Sequence, residues 1–319
     1  MALLLYEADV RALLNMTGTI QVLEQAFIAL AQGKATNRPR TRFAQANGVM
    51  HLLAASIPPL GVMGHKTYTI FRAGMRYVVM LFSIQDGSLL AAIEAEWLGT
   101  MRTGGSSALA TNYLARPDAS IVGLIGSGKQ AAIQLMGVCA VRPITGVNVF
   151  SRRLPECEQF CDQMTRHLNI EVRPVANPRE AVEDADIVIT ATSSPEPVFP
   201  GEWLMPGCHI NAIGSNWANR REIDLQTLQR SDLIVTDSLE QAHMEAGDLI
   251  IPADEDHFDW SRVSELADVV VGRASRRQSV DETTLYKGLG IALEDIAVAA
   301  LVYRLARERG IGEEINLLP

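Results

Sequence analysis

Apolar and polar positions change rhythm along the 319-residue chain, and each rhythm predicts a different kind of element. Over residues 8–34, Val22, Leu23, Ala26, Phe27 and Leu30 recur at three- and four-residue spacing. This predicts a helix, with Asp9 capping a first turn and Gly33 ending it. From 38 to 94 the texture becomes a series of short strand-like runs, 38–43, 48–53, 61–70, 77–84 and 86–94, with Asp86-Gly87 as a hairpin turn. The meander predicts a sheet of its own. Residues 96–115 read as a helix rich in small side chains that Thr100 or Thr103 would cap. Arg102 would then stand at the helix's positive end, an unfavourable place for a cation unless an anion meets it. Arg116-Pro117-Asp118 marks a boundary, and beyond it strand-like runs at 121–125, 147–150, 186–192, 208–214, 232–237 and 268–272 alternate with helical patterns such as 154–168. That alternation predicts an α/β domain built on a doubly wound parallel sheet. The chain closes with a glycine loop at 283–290 and an apolar helix from 291 to 307.

The run Ile121 to Ile125 leads into Gly126-Ser127-Gly128-Lys129-Gln130-Ala131 and then into a helical pattern. Strand, glycine turn and helix form the context in which a G-x-G-x-x-G/A pattern signals a dinucleotide. Gly126 permits the tight turn, Gly128 lets a pyrophosphate approach the backbone, and Ala131 lets helix and strand pack closely. The free N–H groups of the helix start then face the phosphates. The second strand ends in Ser151-Arg152-Arg153 rather than in the acid that holds a ribose 2′-hydroxyl. Arginines suit a 2′-phosphate, so NADP is expected over NAD, with NAD still possible. Ligands of such sheets bind at the carboxyl ends of strands, which adds Thr192, Ser193, Gly214, Ser215 and Asn216 to the cofactor residues. Lys287 and Gly288 are expected at the nicotinamide end, and Thr103 on the small-residue helix.

Composition narrows the function classes. The chain is 48% hydrophobic and 20% charged with a formal net charge of -9, which suits a two-domain globular protein and argues against nucleic-acid or anionic-membrane partners. No transmembrane span and no signal peptide are expected, and the four cysteines (139, 157, 161, 208) lack zinc or C-x-x-C spacing. A cytoplasmic protein without a metal follows as the expectation. Asp237 and Glu240 read as acids at a strand end and a helix start, His65 as a packed or solvated side chain, and His209, in a buried strand pattern, as structural.

Arg40-Thr-Arg42, Gly64-His-Lys66, Met101-Arg102-Thr103, the glycine turn, Asn211-Ala-Ile-Gly-Ser-Asn216, Arg221-Glu-Ile-Asp224, Ala246-Gly-Asp248 and Lys287-Gly-Leu-Gly-Ile-Ala-Leu-Glu-Asp295 occur together. With these motifs the chain resembles the ornithine cyclodeaminase and mu-crystallin family over nearly its whole length. The resemblance implies a homodimer of two-domain subunits. A Rossmann domain (116–287) would bind NAD(P). A smaller α+β domain (1–115, completed by the C-terminal helix over 288–319) would hold the substrate and the dimer interface. By position, Arg40, Lys66 and Arg102 match the family's basic residues around a substrate carboxylate and become the catalytic candidates.

Two places separate branches of the family. Where the cyclodeaminases carry an Asp after the Asn-Ala-Ile-Gly motif, this chain has Asn216, and an amide cannot serve as a general base. Ser151-Arg152 is similar to the mu-crystallin-like ketimine reductases. The expected activity is NADPH-dependent reduction of a small α-imino acid or cyclic ketimine to an L-amino acid. The alternatives are ornithine cyclodeaminase-type chemistry on a bound NAD, and a non-enzymatic role in binding NADPH or a small acid.

Overall fold

The structure, a computed structural model, describes residues 1–316. The chain divides into two compact units: Met1–Gly105 together with the chain from Gly290 on, and Ser106–Leu289. The first opens with β1 (Ala2–Leu5), α1 (Glu7–Leu13) and α2 (Met16–Ala31). The single helix expected over 8–34 is therefore two. Asn15 leaves the helical conformation and its side chain accepts from the Gly18 amide at 2.8 Å, so it caps α2. Asp9 lies within α1 and reaches back to the Tyr6 amide at 2.9 Å.

The meander is present as β2 (Thr36–Gln45), β3 (Gly48–Ile57), β4 (Val62–Phe71), β5 (Gly74–Ser83) and β6 (Leu89–Glu94). Asp86 accepts from the Ser88 amide and hydroxyl in the expected turn. Next comes α3 (Glu96–Leu114), within which the division between the units falls. Sequence placed that boundary at 116, after the helix. Thr100 and Thr103 do not cap this helix. They lie inside it and their hydroxyls bond back to Glu96 O and Gly99 O at 2.8 Å. The amides of Glu96 and Trp97 are instead taken by the Glu7 carboxylate at 2.6 and 3.0 Å. Arg102 therefore stands in the second turn of the helix, not at its positive end.

The second unit continues with β7 (Ile121–Ile125), α4 (Lys129–Val141), β8 (Gly146–Phe150), α5 (Leu154–Leu168), β9 (Glu171–Pro174), α6 (Pro178–Val182), β10 (Ile187–Thr190) and β11 (His209–Ala212). It ends with α7 (Leu225–Arg230), β12 (Leu233–Thr236), α8 (Leu239–Glu245), α9 (Gly247–Asp254), β13 (Val263–Glu265), α10 (Leu266–Val270) and β14 (Thr284–Lys287). All eight strands are parallel, in the order β13-β12-β14-β11-β10-β7-β8-β9. This is the doubly wound sheet expected of the α/β class. The strand order reverses between β7 and β10, which places the binding crevice at their carboxyl ends.

Two assignments in this unit are corrected. Residues 268–272 are not a strand: Leu266, Ala267, Val269 and Val270 are the buried positions, a helical spacing. The loop expected at 283–290 contains β14, whose four residues are buried between β11 and β12. The first unit is then completed by α11 (Ala292–Arg309) and β15 (Glu313–Ile315). Its sheet runs β15-β1-β6-β5-β4-β3-β2, antiparallel except for the β1–β6 pair. Helix α11 lies against β2 to β5. It is so close to β4 that a Cβ on Gly64 would stand 3.1 Å from Ile296 Cδ1. Gly64 and Lys66 thus face α11, and Met63, His65 and Thr67 face the other way.

Candidate functional site: a buried cation cluster and a dinucleotide turn

In the first unit, Arg40 on β2, Lys66 on β4 and Arg102 on α3 are all buried, at 4%, 3% and 8% exposure. The sequence predicts these cations; the structure supplies the carboxylates that gather them. Asp295 Oδ1 accepts from Lys66 Nζ at 2.7 Å and from Arg102 Nε at 2.9 Å, while Glu294 Oε2 accepts from Arg102 at 2.9 Å. Arg40 donates to Gly290 O at 2.8 Å. The anion that Arg102 requires is thus provided first by the protein itself. Glu294 and Asp295 sit in the first turn of α11, where the helix dipole favours acids. Gly290 has φ +74°, and a Cβ there would lie 2.2 Å from the Arg102 guanidinium, so the backbone passes directly over it.

The cluster remains electropositive. Burial and the nearby Arg102 push the Lys66 ammonium down to about 8, although Asp295 works in the opposite direction. His51, on the neighbouring strand, is lowered to about 4 by burial and then by Arg40, Arg42 and Lys66. It stacks face to face on Tyr68, centroids 4.2 Å apart, and Tyr68 stacks in turn on Tyr77. Sequence reading missed this ring row beside Lys66; the signal was the two-residue step from Lys66 to Tyr68. Thr103, expected at the cofactor, is half-buried in α3. His65 points away from the cluster, with Nδ1 3.2 Å from Thr67 Oγ1.

In the second unit, Gly126 has φ +114°, and a Cβ on it would lie 2.5 Å from Ala191 O at the end of β10. Only glycine fits this turn. Gly128 starts α4 without a side-chain cap, and a Cβ on it would meet nothing within 4 Å. The start of α4 is thus open to a phosphate, where the first-turn amides lack intrahelical partners. Gln130 Oε1, in that turn, is buried with no hydrogen-bond partner among the described residues. Ser127 is half-buried, Lys129 is exposed and Ala131 is fully enclosed. These features fit a dinucleotide pyrophosphate. At the end of β8, Ser151 is half-buried and Arg152 is exposed. Arg153 is exposed and pairs with Glu156 at 3.3 Å.

The remaining expected cofactor residues lie on two loops, after β10 and after β11. Thr192 and Gly214 are half-buried, Ser193 is exposed, Ser215 is buried and Asn216 is half-buried. Gly288 is half-buried, its amide bonded to Ala212 O at 3.3 Å. Lys287 is fully enclosed, and its ammonium, 2.7 Å from both Asp248 Oδ2 and Ser215 O, holds the second loop. The sequence marked the 221–224 motif but not the place of Glu222, which is fully buried among both loops. His209 is structural, as expected. It is buried, bonded to Thr284 at 2.9 Å and pushed down to about 3, chiefly by burial. Among the described residues no cluster of His, Cys, Asp or Glu is arranged to hold a metal, and no helix is long and apolar enough to cross a membrane.

A parallel sheet with a glycine turn at its switch point, joined in one chain to a sheet domain bearing buried cations, has the architecture of a dinucleotide-binding protein. The comparisons make the class specific: the sequence matches the ornithine cyclodeaminase/mu-crystallin family over residues 2–310, and the chain belongs to that family. It is 33% identical to a Delta(1)-pyrroline-2-carboxylate reductase of Bacillus cereus over 319 residues, 96% of this chain and 97% of that protein. The Delta(1)-pyrroline-2-carboxylate reductase of Thermococcus litoralis, solved in complex with NADH and L-proline, superposes with a TM-score of 0.94. That pair shares 36% identity and covers 98% of this chain and 100% of the other. An archaeal alanine dehydrogenase, a dimer with bound NAD, gives 0.93 at 28% identity, covering 99% of each chain.

Proposed function

We propose that this protein reduces a small α-imino acid, or its cyclic ketimine form, to an L-amino acid. The observation that carries the proposal is the buried Arg40–Lys66–Arg102 cluster, three cations gathered around the two carboxylates of Glu294 and Asp295. A substrate carboxylate is the complement of such a cluster. A nicotinamide cofactor, when bound, would supply the hydride that the imine carbon gains. The chain's own residues do the rest. Arg40 and Arg102 hold the carboxylate and so fix the orientation of the carbon, an effect that reaches about 7–11 kcal/mol in the best intramolecular models. Lys66, charged below about 8, gives a proton to the imine nitrogen as the carbon takes the hydride. Family relatives named for pyrroline-2-carboxylate reduction and alanine dehydrogenation support this reaction class.

NADPH is the cofactor we infer, because Ser151-Arg152-Arg153 offers donors and charge where an NAD site has an acid. The family neighbours solved with NADH or NAD keep NAD in the comparison as the second nucleotide. The decisive experiment follows NADPH and NADH consumption with 2-oxo acids plus ammonia or methylamine, and with cyclic ketimine carboxylates. Turnover with any of them, faster with NADPH, is expected. Ammonia release from ornithine with catalytic NAD, and no consumption in the panel, would replace the reductase reading by the cyclodeaminase one. Lys66→Met is expected to bind cofactor normally and to lose nearly all turnover.

We further infer a homodimer. The face of the first sheet turned away from α11 presents Met63, Val78, Met80 and Phe82 beside a shallow cavity of about 320 Å³. Such an apolar sheet face suits burial against a second copy. The archaeal relative is a dimer. Light scattering should give twice the chain mass, and Val78→Glu should give the chain mass.

A further inference from the structure

Glu222, Asp248 and Lys287 are all without solvent exposure, and the reaction leaves them without a task. Their bonds run to the loops. Glu222 Oε1 accepts from the Thr192 amide at 2.7 Å and the Thr192 hydroxyl at 2.6 Å, on the loop after β10. Glu222 Oε2 accepts from the Gly214 amide at 2.6 Å, on the loop after β11, and from Thr190 Oγ1 at 2.9 Å. Asp248 Oδ1 fixes the backbone of the anchor by accepting from the Glu222 and Ile223 amides at 2.6 and 3.2 Å. Lys287 spans from Asp248 to Ser215 O. The loops are so close that a Cβ on Gly214 would lie 2.4 Å from both Glu222 Oε1 and Thr192 O.

We propose that Glu222 is a positioning residue for the nicotinamide cofactor: its carboxylate is the anchor that ties the loop carrying Thr192 to the loop carrying Gly214. The proposal rests on the reading that these loops line the cofactor. Four donors converge on two oxygens, and only an ionised carboxylate accepts all four without offering a proton back. A glutamine would aim an N–H group at groups that already donate, leaving buried donors unmatched. Protonation of Glu222 would do the same to one loop. The groups facing it are Thr190 from β10, Thr192, Gly214, the attracting Lys287 from β14 and the repelling Asp248 from α9. Burial is the largest influence, and it holds the Glu222 carboxyl above its usual range.

The test is Glu222→Gln in the full chain, read by amide hydrogen exchange without cofactor and by NADP⁺ binding. Exchange should rise in the segments around 192 and 214 while β7 and α4 stay protected. The dissociation constant should rise roughly tenfold, the loss of about one charged hydrogen bond. In the wild type, NADP⁺ affinity should weaken as pH falls, and this dependence should flatten in the variant. Thr192→Val, which removes one donor and no charge, should loosen only the first loop and weaken binding by roughly threefold. It decides the matter if Glu222→Gln fails to fold. Unchanged exchange in both loops would overturn the anchor, and loosened loops with unchanged affinity would overturn the positioning role. A wild type that binds neither nucleotide would instead remove the functional reading, leaving the anchor to the exchange result alone.

Discussion

Asp295 shows how one carboxylate can govern a cationic site. Its Oδ1 serves two cations at once, and it is the group that keeps the Lys66 ammonium from falling further. A proton donor must be charged to act, so turnover should decline as pH rises through about 8. Removing the acid removes the influence that raises Lys66, so in Asp295→Asn the alkaline limb of the pH–rate profile should move to lower pH. The same variant leaves buried cations without their partner, a loss of about 3–5 kcal/mol in comparable pairs. Urea denaturation and the pH profile check the two effects separately. The cations themselves were legible in the sequence, from Arg40-Thr-Arg42, Gly64-His-Lys66 and Met101-Arg102-Thr103. Their partners were not, because Glu294 and Asp295 lie nearly two hundred positions from Arg102, and no local pattern pairs residues so far apart.

At the scale of elements, β2 to β6 were readable as strand-like runs, and each of them packs against α11, whereas β1 and β15, three or four residues long at the ends of the chain, were not. The strand β14 escaped because it is short and begins and ends on polar residues, Thr284 and Lys287. Such a composition reads as a loop until Asp248 is seen beside the lysine. Helix α10 escaped because three consecutive valines look like a strand, although the burial of Leu266, Ala267, Val269 and Val270 follows a helix. Closeness between elements was half legible. Ala131 was expected to allow tight packing, but the tighter approach is at Gly123, where a Cβ would stand 1.9 Å from Ala181 O of α6. Gly123→Ala should therefore push α6 from β7 and destabilise the protein by about 1–3 kcal/mol, measured as a lower denaturation midpoint. The NADPH preference we propose would reside in the turn after β8. Ser151→Asp places an acid where a 2′-phosphate would sit, and should raise the KM for NADPH roughly tenfold while improving that for NADH. Equal effects on both nucleotides would take the discrimination away from this turn.

For the molecule as a whole, acid sensitivity has an identifiable source. His209 and His51 titrate near 3 and 4 in the folded protein against 6.5 when unfolded. Their folded values are depressed because burial disfavours the cation. Below 6.5 the unfolded chain takes up protons that the folded one refuses, so stability is lost as pH falls, at up to about 1.4 kcal/mol per unit for each histidine. Thermal melts from pH 7 downward should show this decline starting near 6.5, well above the carboxylate range.

The completion of the first unit by α11 and β15 also has a consequence for the order in which the protein can come into being. During synthesis, residues 106–289 emerge and can fold before the acids at 294 and 295 leave the ribosome. Until then the first hundred residues hold three cations destined for the interior, with no carboxylate from α11 to receive them, and β1 lacks its partner β15 on one edge. A nascent chain stalled before residue 290 would expose a charged, unfinished sheet to chaperones and proteases. The arrival of the final helix brings the carboxylates that let Lys66 and Arg102 be buried with partners.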